Sequence, residues 1–248
     1  MKILCLADLH IRNNTDAKTK IHWAKRLFKS KSPDVVVISG DIFEANMGYK
    51  KNPYKLLSEI TNNEKPIVCT LGNHEFVDHT VISVLSNYIK KYKPELYNVH
   101  YLDVVNHYDI GDIRFLGNVL WYDGSMKVNK NQRITDWGNG CWLDKRIVNF
   151  NYLIENRICV NQIKNSISEE KTNVLVTHTL PHSTINAHEE SELSAFSGMK
   201  NLLKDINVQY SISGHTHRRM CNIQLEDVKI VNVGNDYYPP YQFYLLEI

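Results

Sequence analysis

Asp34-Val35-Val36-Val37-Ile38-Ser39-Gly40-Asp41 is the stretch on which the fold turns. Four β-branched residues in succession, with no polar alternation, predict a strand buried on both faces, as in a parallel sheet covered by helices. It ends in Gly40-Asp41, a turn that delivers a carboxylate at the strand's carboxyl end. Two neighbours repeat the pattern. The apolar run 2–6 leads into Asp8-Leu9-His10, and the run 67–71 leads into Gly72-Asn73-His74-Glu75. Helical spacing fills the gaps: Ile21, Ala24 and Phe28 within 15–29, the stretch 53–63, and Val81, Val84, Leu85 and Tyr88 within 78–91, with Asp78 as its expected N-cap. This βαβαβα order predicts a parallel sheet with helices packed on it.

The second half is patterned differently. Segments 104–110 and 113–119 flank Gly111-Asp112 and read as a hairpin. Residues 121–142 are polar, contain glycines and two tryptophans, and follow no period, which suggests a lid or insertion extending to about 148. A helix is expected over 149–168, a strand over 173–177, a short helix over 196–205 and a strand over 209–213. Segments 219–225, 228–233 and 242–247 read as antiparallel strands. No repeat or composition break divides the chain, so the expected architecture is one α/β domain over 1–248, a two-sheet β-sandwich flanked by helices.

Composition narrows the function classes. The 248 residues carry 29 Lys and Arg against 27 Asp and Glu, a net charge of +2, which argues against a protein whose task is to coat nucleic acid or an anionic membrane. No apolar run approaches the ~20 residues of a membrane span. Asp8 and His10 interrupt the apolar start too early for a signal peptide, and the five dispersed cysteines form no CxxC pair. A cytoplasmic protein with reduced thiols is expected.

Asp8-x-His10, Gly40-Asp41, Gly72-Asn73-His74-Glu75, His178 and Gly214-His215-Thr216-His217 each follow an expected strand. Carboxyl ends of strands in a wound sheet form its functional edge, so five distant segments are expected to meet there. Residues two apart on extended backbone project the same way, so Asp8 with His10, and His215 with His217, can chelate one ion. Imidazole, carboxylate and one amide oxygen together suit Mn²⁺, Fe or Zn²⁺ better than Ca²⁺ alone. Alone, each element is weak: D-x-H reads as a surface turn, Gly-Asp as a strand end and a lone His as a hydrogen-bonded histidine, while G-N-H-E reads equally as a site or as a helix cap by Asn73, and G-H-T-H leans toward metal. The ordered set carries the signal.

That set resembles the calcineurin-like metallophosphoesterase superfamily, over Asp8 to His217. The resemblance implies a four-layer fold and a site with two divalent ions, Mn²⁺ first, with Fe, Zn²⁺ or Ni²⁺ as alternatives. It assigns Asp8, His10 and His217 to one ion, Asn73, His178 and His215 to the other, and Asp41 as the bridge. His74 is the implied catalytic histidine. Gly117-Asn118-Val119-Leu120-Trp121-Tyr122-Asp123 is similar to a G-x-x-L-W-x-D stretch of small bacterial and phage members. In Thr177-His178-Thr179-Leu180-Pro181, Thr179 stands where a second histidine often sits. Ile42-Phe43-Glu44 replaces the D-R-G of protein serine/threonine phosphatases, which argues against that branch.

The implied chemistry is attack on phosphorus by a hydroxide bridging two ions about 3.5–4 Å apart, with His74 assisting the leaving group. Glu75 and Asp78 are the candidates for orienting His74. Asn118, Trp121 and Arg218 are candidate substrate contacts, Trp121 equally a core residue. The expected substrate is a small phosphomonoester or phosphodiester, or a nucleotide. A DNA or RNA nuclease is the alternative, disfavoured by the weak charge and by about thirty residues after His217. A non-catalytic scaffold, like the retromer subunit of this fold, is disfavoured because every ligand type is kept. No membrane partner is expected, and oligomeric state stays open.

Overall fold

The computed structural model describes residues 1–44, 52–126, 143–183, 197–217, 221–235 and 239–248. The strands are β1 (Lys2–Leu6), β2 (Val35–Ser39), β3 (Ile67–Thr70), β4 (Val99–Tyr101), β5 (His107–Ile110), β6 (Ile113–Asn118), β7 (Thr172–Thr177), β8 (Tyr210–Ser213), β9 (Cys221–Leu225), β10 (Val228–Asn232) and β11 (Tyr244–Glu247). They form two sheets, ordered β11-β1-β2-β3-β4 and β5-β6-β7-β8-β10-β9. Strands β1 to β4 are mutually parallel, as are β6, β7, β8 and β10.

Strand parity builds the layers. Ile3, Cys5, Val35, Val37 and Val68 point from the first sheet toward Phe115, Val174, Val176, Ile212 and Val231 of the second. The alternate residues Leu4, Leu6, Val36, Ile38 and Ile67 face the helices instead, against Ala17, Ile21, Ala24, Leu57 and Ile60. On the far face of the second sheet, Leu116, Leu175 and Ile230 pack with Ile163, Leu202 and Leu203. Helix, sheet, sheet and helical cover make four layers. The Val35–Ile38 run has no polar face because both of its faces are interfaces. Each buried Val, Ile or Leu contributes about 1.5–3 kcal/mol relative to exposure.

The helices Asn14–Lys31, Pro53–Thr61 and Tyr152–Ser166 are capped by Asn13, Asn52 and Asn151, whose side chains accept backbone N–H groups of the first turn. Several expectations are corrected. The helix expected over 78–91 begins at Val81 with Thr80 as its cap, and Asp78 lies outside it with φ 66°. Residues 102–105 form a helical turn, so the hairpin's first strand starts only at His107. In place of a helix over 196–205, the described residues hold only a 3₁₀ turn at Leu202–Lys204. The tail strands are not one antiparallel set. β10 pairs antiparallel with β9 but parallel with β8, and β11 crosses to the other sheet to pair with β1. Most of the expected lid, residues 127–142, lies outside the described residues. Among the described residues no helix is long and apolar enough to cross a membrane.

Candidate dinuclear metal centre

Carboxyl ends of β1, β2 and β3 from one sheet meet those of β7 and β8 from the other. Asp8, His10, Asp41, His178 and His217 thereby come together, with Asn73, His74 and His215, and all but His217 are buried. The convergence does not use the pleat of an extended segment, as the i, i+2 spacing suggested. Asp8 (φ 51°), His10 (42°), Asp41 (46°), His215 (71°) and His217 (50°) are all left-handed. Such conformations cost about 1–3 kcal/mol each in non-glycine residues and persist only where surroundings fix them. Here backbone bonds do so: Asp8 N–H donates to Gly40 O at 3.1 Å, and His10 N–H to Asp41 O at 2.8 Å.

Side chains from β10 and the turn after it complete the hold. The Asn232 amide donates to Gly214 O (2.7 Å) and accepts from Thr216 Oγ1 (2.7 Å), straddling His215. Asn235 donates its side-chain N–H to Ala7 O at 2.9 Å, and its backbone N–H reaches Asp8 Oδ2 at 3.3 Å. His215 N–H lies 3.0 and 3.1 Å from the two Asp8 oxygens. Glycine is required at two close approaches. A Cβ on Gly40 (φ +73°) would stand 2.4 Å from the His178 ring, and one on Gly72 would stand 2.1 Å from Asp41 Oδ1.

Two donor groups share Asp41. Asp8, His10, Asp41 and His217 offer ligand atoms within 4.8 Å of one another, and so do Asp41, His178 and His215. Asp41 Oδ2 is buried and makes no hydrogen bond among the described residues. Yet it lies 3.3 Å from His178 Nε2, 3.7 Å from His74 Nε2 and 3.8 Å from His10 Nε2. The rings crowd likewise: His10 Nε2 to His217 Nε2 is 3.2 Å, and His215 Nδ1 to His178 Nε2 is 3.1 Å. His178 Nδ1 faces Ser39 O at 3.1 Å, so it carries the proton and turns the Nε2 lone pair inward, where Asn73 Oδ1 lies at 2.9 Å. A buried carboxylate oxygen with no hydrogen bond, ringed by inward lone pairs, is the donor chemistry that fits divalent cations.

Residues outside the expected motifs support this centre. Glu44 Oε2 lies 3.0 Å from His74 Nδ1, and Oε1 lies 3.0 Å from His10 Nδ1. Burial works against the Glu44 charge, but its bonds to the two rings outweigh this and bring its pKa down to about 2. Burial also opposes a charged His74 ring, yet Asp41 and Glu44 prevail and push its pKa up to about 10. Glu44 therefore takes the orienting place expected of Glu75 or Asp78. Glu75 accepts backbone N–H groups of Ile42, Phe43 and Gly72 at 2.7–2.8 Å, binding the loop after β2 to the turn after β3. Asp78 pairs with Arg146 at the surface. Asp144, fully buried, accepts Asn73 Nδ2 at 2.8 Å. Asp103 accepts Leu71 N–H and Val119 N–H at 2.8 Å each, tying the end of β3 to the end of β6.

Asn118 and Trp121, expected as substrate contacts, are instead core residues. Asn118 donates to Cys159 O and Gln162 Oε1 at 3.0 Å and accepts Leu120 N–H. Trp121 is 1% exposed and packs on Phe76 and Phe150, at 5.2 and 4.5 Å between ring centroids. Their backbone continues the buried β6, which turns both side chains into packing. Arg218, the third expected substrate contact, lies outside the described residues.

Comparison with known proteins agrees with this architecture. The fold is similar to that of the phosphopantetheinyl hydrolase PptH from Mycobacterium tuberculosis, with a TM-score of 0.71 at 15% identity over 99% of this chain and 95% of that one. It is also similar to the TT1561 protein of Thermus thermophilus (TM-score 0.54, 11% identity, 98% and 92% covered). A dimetal phosphatase from Danio rerio gives a TM-score of 0.50 at 14% identity, with 99% and 91% covered. No curated protein matches the sequence at a significant level. The family model described as calcineurin-like phosphoesterase matches residues 1–219. The chain therefore belongs to the calcineurin-like phosphoesterases, a family of metal-dependent phosphoric ester hydrolases.

Proposed function

We propose that this chain is a dinuclear phosphoesterase acting on a small phosphomonoester or phosphodiester, as one domain spanning both sheets. The observation that carries the reading is the membership of Asp41 in both donor groups. Asp8, His10 and His217 would hold one cation with Asp41. Asn73, His178 and His215 would hold the other with the same carboxylate. Bound there, two cations would supply Lewis acidity toward phosphoryl oxygens and would lower the pKa of a water enough to make it a nucleophile near neutral pH. Imidazole, carboxylate and amide donors suit Mn²⁺ first, with Fe, Zn²⁺ and Ni²⁺ as alternatives.

His74 is in neither group that contains Asp41, although its ring lies within 4.8 Å of donor atoms of His10 and Glu44, and it acts on the leaving group. Its N–H donates to Asp41 Oδ1 at 2.9 Å, which fixes the residue beside the shared carboxylate. Its Nδ1 faces Glu44, so Nε2 is the atom turned toward the centre. A proton held at Nε2 is available to a departing alkoxide, and the Glu44 carboxylate on the far nitrogen favours the charged ring. Burial of the site, with His10 and Asp41 fully enclosed, strengthens each of these interactions.

The test is hydrolysis of bis-p-nitrophenyl phosphate and p-nitrophenyl phosphate by chelator-stripped protein, with and without added Mn²⁺, Zn²⁺, Ni²⁺ or Mg²⁺. Turnover restored by metal is expected, and the diester to monoester ratio assigns the substrate class. Two bound metals without turnover on either ester would overturn the reading.

A further inference from the structure

Asn73 is the one amide in the second donor group, and an amide has two unlike ends. Its oxygen can face a cation, while its NH₂ repels one. Rotation by 180° exchanges them, so the residue serves as a ligand only if something outside the centre fixes its direction. His178 cannot do so, because with its Nδ1–H on Ser39 O the Nε2 lone pair would accept the NH₂ end rather than favour the oxygen. The discriminating contact lies on the other side. Asp144 Oδ1 stands 2.8 Å from Asn73 Nδ2, and a carboxylate offers only acceptors. The NH₂ end is thereby committed to Asp144, and Oδ1 is turned to within 2.9 Å of His178 Nε2.

Asp144 reaches this position on a short strap. Residues 143–148 lie along 73–79, fastened by Asp78 N–H to Arg146 O at 3.0 Å and Val148 N–H to His79 O at 2.9 Å. The Arg146–Asp78 ion pair closes the outer edge. The 3₁₀ turn Leu143–Arg146 places Asp144 beneath the Asn73–Phe76 turn, with no exposure to solvent. Burying a carboxylate is costly unless its bonds compensate, and a packed apolar side chain would serve stability as well.

We propose that Asp144 is a positioning residue that sets the direction of the Asn73 amide and so completes the second cation site. This rests on reading Asn73, His178, His215 and Asp41 as that site. The experiment is calorimetric titration of chelator-stripped protein with Mn²⁺, comparing wild type, Asp144→Leu and Asp144→Asn, with circular dichroism to verify folding. Wild type should bind two equivalents; failure there would refute the dinuclear reading itself. Asp144→Leu should keep the first equivalent and weaken the second by about 10–100-fold, the usual effect of losing such an outer partner. Asp144→Asn, whose amide oxygen can still accept from Asn73, should show a smaller loss confined to the same equivalent. Unchanged affinity for the second equivalent in Asp144→Leu, or equal weakening of both, would overturn the proposal. Should Asp144→Leu fail to fold, Asp144→Asn decides: a loss confined to the second equivalent supports the proposal, and no loss overturns it.

Discussion

Glu44 Oε2 lies 3.0 Å from Nδ1 of His74, while the other oxygen of the same carboxylate lies 3.0 Å from Nδ1 of His10. One side chain thus sets both a candidate ligand and the candidate acid. Glu44→Gln leaves one acceptor oxygen for two N–H donors, and its NH₂ must face one of the rings. We expect kcat at saturating metal to fall about 10–100-fold. The pH profile gives the sign. Glu44 raises the His74 pKa, so its removal lowers it, and the alkaline limb of kcat should move to lower pH. An unmoved alkaline limb would remove Glu44 from this role.

Asp41→Ala removes the oxygen shared by both donor groups. Metal content after gel filtration, read by mass spectrometry, should drop from two equivalents toward none, and turnover should vanish with it. A variant that retains both metals and full activity would contradict the shared-ligand arrangement.

His74→Asn removes an imidazole but no member of the two groups that share Asp41. Metal content should stay at two. On an alkyl phosphate, whose leaving group needs a proton, kcat should fall about 10²–10⁴-fold. On a p-nitrophenyl ester, which leaves as a stable anion, the loss should be smaller. Equal loss on both esters would separate His74 from proton transfer.

Gly40→Ala and Gly111→Ala form a matched pair. Both glycines have positive φ, +73° and +57°, but only Gly40 faces the His178 ring, while nothing lies near the added Cβ at Gly111. Gly111→Ala should lose about 1–2 kcal/mol from the left-handed backbone alone and keep its activity. Gly40→Ala should lose more stability and most turnover. The comparison is made by thermal unfolding and metal titration.

Chelation should lower Tm, because inward-facing lone pairs and the Asp41 carboxylate lose their counter-charge. With Mn²⁺ at 100 times its Kd, the folded state should gain about 2.7 kcal/mol per independent site. A Tm indifferent to metal would mean that the native state binds none.

The residues of D-x-H, G-D, G-N-H, His178 and G-H-T-H were legible in the chain because strand ends are legible. Apolar runs such as Val35–Ile38 announce strands, and chemistry-bearing residues just beyond them must gather at one sheet edge. The two-sheet architecture was readable for the same reason. Less readable was whatever depends on a partner remote in sequence. β4 has three residues, too few for a pattern, and β11 pairs with β1 from the opposite end of the chain.

The centre's support belongs to this second kind. Glu44, Asp144, Asn232 and Asn235 carry no local signature, since a single carboxylate or amide outside a motif does not announce what it will face on folding. Their roles arise only when folding buries them and leaves each one acceptor or donor to satisfy: Glu44 against two imidazoles, Asp144 against Asn73, Asn235 against Ala7 and Asp8. Trp121 shows the converse, a motif residue that packing turned into core. Which donors meet is written locally in the chain, because each ligand type sits just past a strand and the position of a strand end is a local property. Which way each donor points is settled only on folding. A ring's tautomer or an amide's direction is set by the hydrogen bond on its far side, made by a residue the chain supplies from elsewhere.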